Sequence, residues 1–383
     1  RNKNIMAIKI PLAKPEILPQ DRNEVLKVLK TNFLSLGPKL KEFEEKIAKF
    51  VGVKYAVGVN SGTSALHLIV RALGIKEGDE VITTAFSFVS SSNCFVYEGA
   101  KPIFVDINEK TFNIDASKIE EKITKKTKAI LAVDVFGRSA EWDKLTEIAK
   151  KHNLFLIEDS AEALGSEYGS TILPQAKGRK CGSFGDAAIF SFYPNKQITT
   201  GEGGIILTNN DKIAELCESM ANQGRQVDGE KWLEHIRVGY NYRLDEMSCA
   251  LGISQLSRIK KIMAKREKIV ETYNQKLKSI PEIITPEFQK NISWFVYVVV
   301  LSEKFADKRD WIILEMAKKG IQCGNYFYPI HLQPAYKNIV SDCVLPVTEN
   351  IGKRTLALPF HNNLKEAEIN FVVNNLKRII KES

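Results

Sequence analysis

Ala188-Ile-Phe-Ser-Phe-Tyr-Pro-Asn-Lys196-Gln-Ile-Thr-Thr-Gly-Glu-Gly-Gly204 sets one lysine between two short apolar runs. The first run reads as a buried strand, the glycines before Ile205 as a turn, and Ile205-Ile-Leu-Thr208 as a second strand. An ammonium is costly to bury, so a lysine held at such a junction needs water, a counter-ion or a chemical use. Amines that lose their proton through desolvation are the side chains that form Schiff bases with aldehydes. On these residues alone, Lys196 is either such an amine or a strand-end lysine reaching into solvent.

Working outward, Glu80-Val-Ile-Thr-Thr84, Pro102-Ile-Phe-Val-Asp106, Ala129-Ile-Leu-Ala-Val-Asp134 and Leu154-Phe-Leu-Ile-Glu158 are separated by segments long enough for crossover helices. That alternation predicts an α/β fold, a mainly parallel sheet with helices on both faces. The strand Tyr55-Ala-Val-Gly-Val59 runs into Asn60-Ser-Gly-Thr-Ser64, after which Leu66, Ile69, Val70 and Leu73 mark a helix. A strand, a small polar turn and a helix start make an ordinary N-cap, and equally a place where backbone N–H groups bind a phosphate. Ligands of such sheets lie at the carboxyl ends of the strands. Phe86 and Phe88, Asp159 and Lys196 fall at those ends. Asp159 is there either as a helix cap or as a carboxylate that pairs with a cation in the cleft.

Residues 10–38 read as irregular and proline-bearing. Leu40, Phe43, Ile47 and Phe50 then define an amphipathic helix stopped by Gly52. From about Leu244 the chain turns helical, and beyond it come a strand at Trp294–Leu301, a helix at Arg309–Lys319, a further strand at Ile321–Tyr326 and a closing helix at Leu364–Ile380. The division expected is a large domain over 1–250 and a smaller C-terminal α+β domain over 251–383.

Composition bounds the function classes. The chain has 383 residues, 44% hydrophobic and 26% charged, and a formal charge of +9, the balance of a globular protein. The basic excess is spread without an arginine-rich tail, so by itself it favours anionic small molecules about as well as nucleic acid and decides neither; the chain as a whole sets the expectation of no nucleic-acid partner. No run reaches the roughly 18 apolar residues of a membrane helix, and the start lacks a signal-peptide core, which sets the expectation of a cytoplasmic protein with no membrane partner. Six cysteines without a C-x-x-C and five scattered histidines suggest neither a disulfide framework nor a metal site. No G-x-G-x-x-G follows a strand and no P-loop occurs, which removes the dinucleotide and P-loop readings.

Several separated stretches then agree: Gly37-Pro…Phe43-Glu, Val59-Asn-Ser-Gly-Thr-Ser-Ala-Leu66, Ile157-Glu-Asp-Ser-Ala-Glu-Ala-Leu-Gly165, Gly182-Ser-Phe-Gly-Asp186 through Gly204, Gly239-Tyr-Asn-Tyr-Arg243 and Tyr328-Pro-Ile-His-Leu-Gln-Pro-Ala-Tyr336. In this order they resemble the DegT family of pyridoxal-phosphate-dependent nucleotide-sugar aminotransferases, with a look closest to perosamine-synthase-like members. The resemblance implies fold type I with a seven-stranded sheet and pyridoxal 5'-phosphate as cofactor. It implies that Lys196 carries the cofactor as an internal aldimine and moves the proton, and that Asp159 keeps the ring nitrogen protonated. Phe88, or less well Phe86, would stack on the ring, and Gly62, Thr63 and Ser191 would hold the phosphate. Glu162 stands where many relatives have a glutamine that contacts the ring hydroxyl. A glutamate there must be protonated or otherwise paired.

Asn241 matches a residue that reaches the cofactor phosphate of a neighbouring subunit, which implies a homodimer with shared active sites. His331 and Tyr326 match substrate-contacting positions. The implied reaction moves an amino group from L-glutamate to a keto carbon, C4, of a nucleotide-linked keto-deoxyhexose by ping-pong transamination. Two alternatives keep the fold. A sugar dehydratase of this family has histidine where Lys196 stands, and a regulatory protein would bind the cofactor without turnover.

Overall fold

The strand β6, Ala187–Ser191, shows how this sequence makes layers. Ala187 and Ile189 share a buried cluster with Leu66, Ile69 and Val70 of α3 (Gly62–Ala72), whereas Ala188 and Phe190 share one with Phe43 and Ile47 of α2 (Pro38–Val51). Successive strand side chains leave opposite faces, so helices cover both sides of the sheet. The computed structural model describes residues 8–169, 178–226, 234–340 and 342–382.

The other strands of this sheet are β1 (Tyr55–Val59), β2 (Glu80–Thr84), β3 (Lys101–Val105), β4 (Thr127–Val133), β5 (Phe155–Asp159) and β7 (Gly204–Thr208), in the order β1-β7-β6-β5-β4-β2-β3. Five strands, β2 to β6, run parallel to one another, and β7 is antiparallel to both β6 and β1. The seven-stranded, mainly parallel sheet is the one expected. Since β1 thereby runs in the direction of β6, Val59, Asp159 and Ser191 all arrive at one edge, and β7 starts there at Gly204.

Gly204 pairs with Val59 on one side and Ser191 on the other. A Cβ at Gly204 would lie 2.4 Å from the Ser61 carbonyl oxygen and 2.7 Å from the Gly62 nitrogen. Only glycine lets the turn after β1 fold down onto the end of β6.

A second sheet of three antiparallel strands, β8 (Ile283–Ile284), β9 (Tyr297–Leu301) and β10 (Thr355–Leu358), has the order β10-β9-β8. Val296, Val298 and Val300 belong to the core of the large sheet. Tyr297, Val299 and Leu301 belong instead to a core with α8 (Ile259–Leu277), α9 (Arg309–Lys318) and α11 (Glu366–Glu382). The division expected after residue 250 falls inside α7 (Glu246–Leu256).

Two local expectations are corrected. Residues 10–38 contain a helix, α1 (Pro19–Val28), whose buried residues are Asp21 and Val28. Asp21 is buried as an ion rather than as an apolar group: its carboxylate accepts from Arg258 at 2.6 Å, Ser254 at 2.6 Å and Gln255 at 3.0 Å. A helix anchored this way shows no hydrophobic period. The strand expected at Ile321–Tyr326 is a run of single bridges, Ile321 to Ile10 and Gly324 to Ala357. Its partners lie in different segments, so no ladder forms. Among the described residues no helix is long and apolar enough to cross a membrane.

Candidate active site

The edge where β1, β5, β6 and β7 meet opens into a cavity of about 480 Å³. Ser61, Gly62, Thr63, Phe88, Ser91, Asp159, Glu162, Ser191, Asn195, Lys196, Phe295 and Tyr326 are among its lining residues. One end of the cavity is the N-terminus of α3. The Ser61 hydroxyl caps that helix by accepting from the Ser64 N–H at 3.0 Å, while the first-turn N–H groups of Gly62 and Thr63 have no acceptor within the helix. Gly62 packs so close to β6 that a Cβ would stand 3.0 Å from Cβ of Ser191. The Thr63 hydroxyl meets that of Ser90 at 2.7 Å. Small residues, hydroxyls and a helix start make this end a ready anion site.

Asp159 ends β5 deep in the cavity. Its Oδ2 accepts from the Ser91 hydroxyl at 2.7 Å and its Oδ1 from the Ala161 N–H at 3.1 Å. Burial pushes this carboxyl above its ordinary value, against the Ser91 and Ala161 hydrogen bonds and the charge of Lys196, which all pull it down. Lys196 follows β6, with its Nζ 4.1 Å from the centre of the Phe295 ring and 3.8 Å from Oε1 of Glu162. Burial lowers the lysine's pKa, while the Glu162 and Asp159 charges and the contact with Glu162 raise it. The amine is therefore poised to lose its proton more easily than a surface lysine. Glu162 is pushed up to about 6, by burial first, against the opposing Lys196 charge and the Phe136 N–H.

Of the residues singled out from the sequence, Gly62, Thr63, Phe88, Asp159, Glu162, Ser191, Lys196 and Tyr326 come together around this one cavity. Phe88 is 62% exposed, as an aromatic waiting at the cavity wall would be, whereas Phe86 is fully buried and packs against Phe112, Phe136 and Phe327. Asn241 and His331 are not among the lining residues. Asn241 is exposed, and the His331 ring is buried with its Nε2 3.1 Å from Oε1 of Glu349.

Sequence reasoning missed Ser87, Ser90 and Ser91, Asn195 and Phe295. Ser87 precedes Phe88, and Ser90 and Ser91 stand just after it at a helix start, where they could have been read as a polar cap. Phe295 gave no signal, because it comes from the segment leading into β9. Asn195 Oδ1 is buried and without a partner among the described residues, as a group left for a ligand would be.

Behind the cavity, Asp134, Glu158 and Cys181 bring ligand atoms within 4.8 Å of one another. The carboxylate oxygens there accept from Ser160, Ala140, Trp142, Gly182 and Phe184, which makes the group a tie between loops.

The donor set fits pyridoxal phosphate. The start of α3 with Thr63, Ser90 and Ser191 suits its phosphate, Asp159 its ring nitrogen, Phe88 its ring face, and Lys196 its aldehyde. Residues 15–377 match the DegT/DnrJ/EryC1/StrS aminotransferase family. The chain is 38% identical over 377 residues to the GDP-perosamine synthase of Caulobacter vibrioides, covering 97% of this chain and 98% of that protein. It is 35% identical over 368 residues to a UDP-4-amino-4,6-dideoxy-N-acetyl-beta-L-altrosamine transaminase of Campylobacter jejuni, covering 94% and 95%. Its fold superposes on Helicobacter pylori PseC, an aminotransferase involved in the biosynthesis of pseudoaminic acid. The TM-score is 0.91 at 31% identity, covering 98% of this chain and 100% of that one. The chain therefore belongs to the DegT/DnrJ/EryC1/StrS aminotransferase family and is a pyridoxal-phosphate-dependent aminotransferase.

Proposed function

We propose that this enzyme takes an amino group from L-glutamate and delivers it to C4 of a nucleotide-linked keto-deoxyhexose. Lys196 serves as the amine that carries the cofactor and moves the proton. The observation that carries the reading is the convergence of a buried lysine, a buried carboxylate and a helix N-terminus on one cavity. When bound, pyridoxal phosphate supplies an aldehyde carbon that captures amines and a ring that accepts an electron pair. Asp159 holds a proton on the ring nitrogen, and Ser91 fixes the carboxylate that does so. Lys196 takes a proton from the substrate carbon on one half of the cycle and returns it on the other. Phe88 and Phe295 keep water from the reacting atoms, and Asn195 and Tyr326 supply polar groups for the sugar.

The nucleotide-linked sugar is inferred from the relatives named above, whose names carry a GDP-linked and a UDP-linked amino sugar. The decisive experiment takes the purified enzyme through its visible spectrum before and after glutamate, then offers 3-keto and 4-keto nucleotide sugars and follows 2-oxoglutarate. Release with 4-keto sugars is expected. A spectrum indifferent to glutamate, or reaction with 3-keto sugars alone, rejects the reading.

A Gly62→Ala variant tests the phosphate end. The added methyl meets Ser191 at 3.0 Å, so affinity for pyridoxal phosphate is expected to fall about tenfold, a loss near 1.4 kcal/mol. Affinity for pyridoxal, which has no phosphate, should change little. Equal losses for both would show that Gly62 acts on the fold rather than on the anion.

The homodimer belongs to the same proposal. Asn241 is exposed outside the cavity, and Phe33, Leu36 and Val238 are 59%, 50% and 77% exposed, apolar side chains of the kind a second subunit would cover. Asn241 then reaches the phosphate end of the partner's cavity.

A further inference from the structure

Glu162 is held on both sides in a way that a simple ring contact does not require. Its Oε2 accepts from the Phe136 N–H at 2.8 Å, and its carbonyl oxygen accepts at 2.6 Å from Nε2 of Gln197, the residue after the lysine. On the other side, the carbonyl of Lys196 accepts at 3.3 Å from the buried guanidinium of Arg266. The two side chains thus face each other from fixed backbones, with Oε1 of Glu162 3.8 Å from Nζ of Lys196. That is roughly half an ångström beyond hydrogen-bond reach, a gap that a turn of the lysine's terminal torsions can close.

The other groups around the lysine are less able to receive its proton. Asp159 spends its oxygens on Ser91 and Ala161, the Tyr326 hydroxyl is met by Asn195 at 3.5 Å, and Phe295 offers a ring face.

We propose that Glu162 is the proton-exchange partner of Lys196, a positioning residue that takes the ammonium's proton so that the lysine meets a carbonyl as a neutral amine. The inference rests on the reading of Lys196 as the cofactor's anchor. In the exchange one N–H bond of the ammonium breaks, its electron pair stays on Nζ, and an O–H bond forms on Oε1. The pair is neutral overall before and after. Burial disfavours the separated charges, which lowers the lysine's pKa and raises that of Glu162 to about 6, and so narrows the energy gap between the two states. A glutamine at 162 keeps the shape and cannot take the proton.

The test uses the full chain freed of cofactor and labelled with carboxyl-¹³C glutamate. One carboxyl is expected to titrate near pH 6, to be missing in Glu162→Gln, and to move up by about 1–3 units in Lys196→Met, where the neighbouring cation is gone. Reductive methylation of Lys196 by formaldehyde, read by peptide mass spectrometry, should accelerate as pH rises through the same midpoint in the parent and lack that step in Glu162→Gln. A carboxyl midpoint indifferent to Lys196→Met, or identical methylation profiles in parent and Glu162→Gln, overturns the proposal. The Lys196→Met comparison stands even where Glu162→Gln does not fold. Adding pyridoxal phosphate to the parent and recording its absorbance tests the site reading separately. No absorbing complex with an intact titration removes that reading, and a complex without the titration removes only the exchange.

Discussion

Replacing Lys196 with alanine is expected to lower turnover by about four orders of magnitude while leaving the fold in place. The lysine's amine is the only cationic group lining the cavity among the described residues, and it stands between Phe295 and Glu162. No other side chain can replace it as both anchor and proton carrier. Its removal costs little stability, because burial already disfavours the charged form. A lysine whose folded pKa is depressed weakens the fold as pH falls below its unfolded value, and alanine relieves that weakness. The expected result is thermal unfolding no lower than the parent's, with activity lost. A small primary amine added to the variant should restore part of the rate, since the missing group is one amine in an intact cavity. A variant that keeps more than about a tenth of parental turnover would refute the assignment of this residue.

Asp159→Asn carries the second large effect, about a thousandfold in kcat with KM little changed. The amide has the shape of the carboxylate, keeps one oxygen for the Ala161 N–H, and turns its NH2 toward the Ser91 hydroxyl, which can accept as well as donate. It lacks the negative charge that holds a proton on a ring nitrogen. The stability change runs the other way. The folded pKa of Asp159 is raised, chiefly by burial, so its stabilising contribution is complete below the unfolded value of 3.8 and is lost as pH rises through the folded one. Wherever the group is ionised its burial costs stability, and asparagine removes that cost. A melting temperature equal to or above the parent's, together with the kinetic loss, separates a chemical role from a structural one. A variant that is both unstable and inactive would leave Asp159 as a scaffold residue.

The architecture was legible where side chains follow a single period. The apolar runs of β2, β4, β5 and β6 are buried on both faces and read directly as strands of a parallel sheet, and their ends located Asp159 and Lys196. Elements held by polar burial were not legible. α1 is fastened by Asp21 to Arg258, Ser254 and Gln255, contacts made across more than half the chain, and it has no apolar stripe to announce it. The same holds within the cavity. Ser91 matters because it touches Asp159, and Phe295 because it lies beneath Lys196; neither relation is local in sequence. His331 is a motif residue whose surroundings were equally hidden: its Nε2 meets Glu349, and its buried Nδ1 has no partner among the described residues.

The strand β9 has a consequence for anyone recombining this enzyme with its relatives. Alternate residues of that one ribbon are shared between two cores, with Val298 and Val300 on one side and Val299 and Leu301 on the other, and Phe295 just ahead of it underlies the reactive amine. Exchanging the C-terminal third to import a new sugar preference would graft a foreign surface onto both interiors at once. A chimera is therefore better cut so that β9 travels with the sheet it leans on, leaving only the loops that face the sugar to be traded.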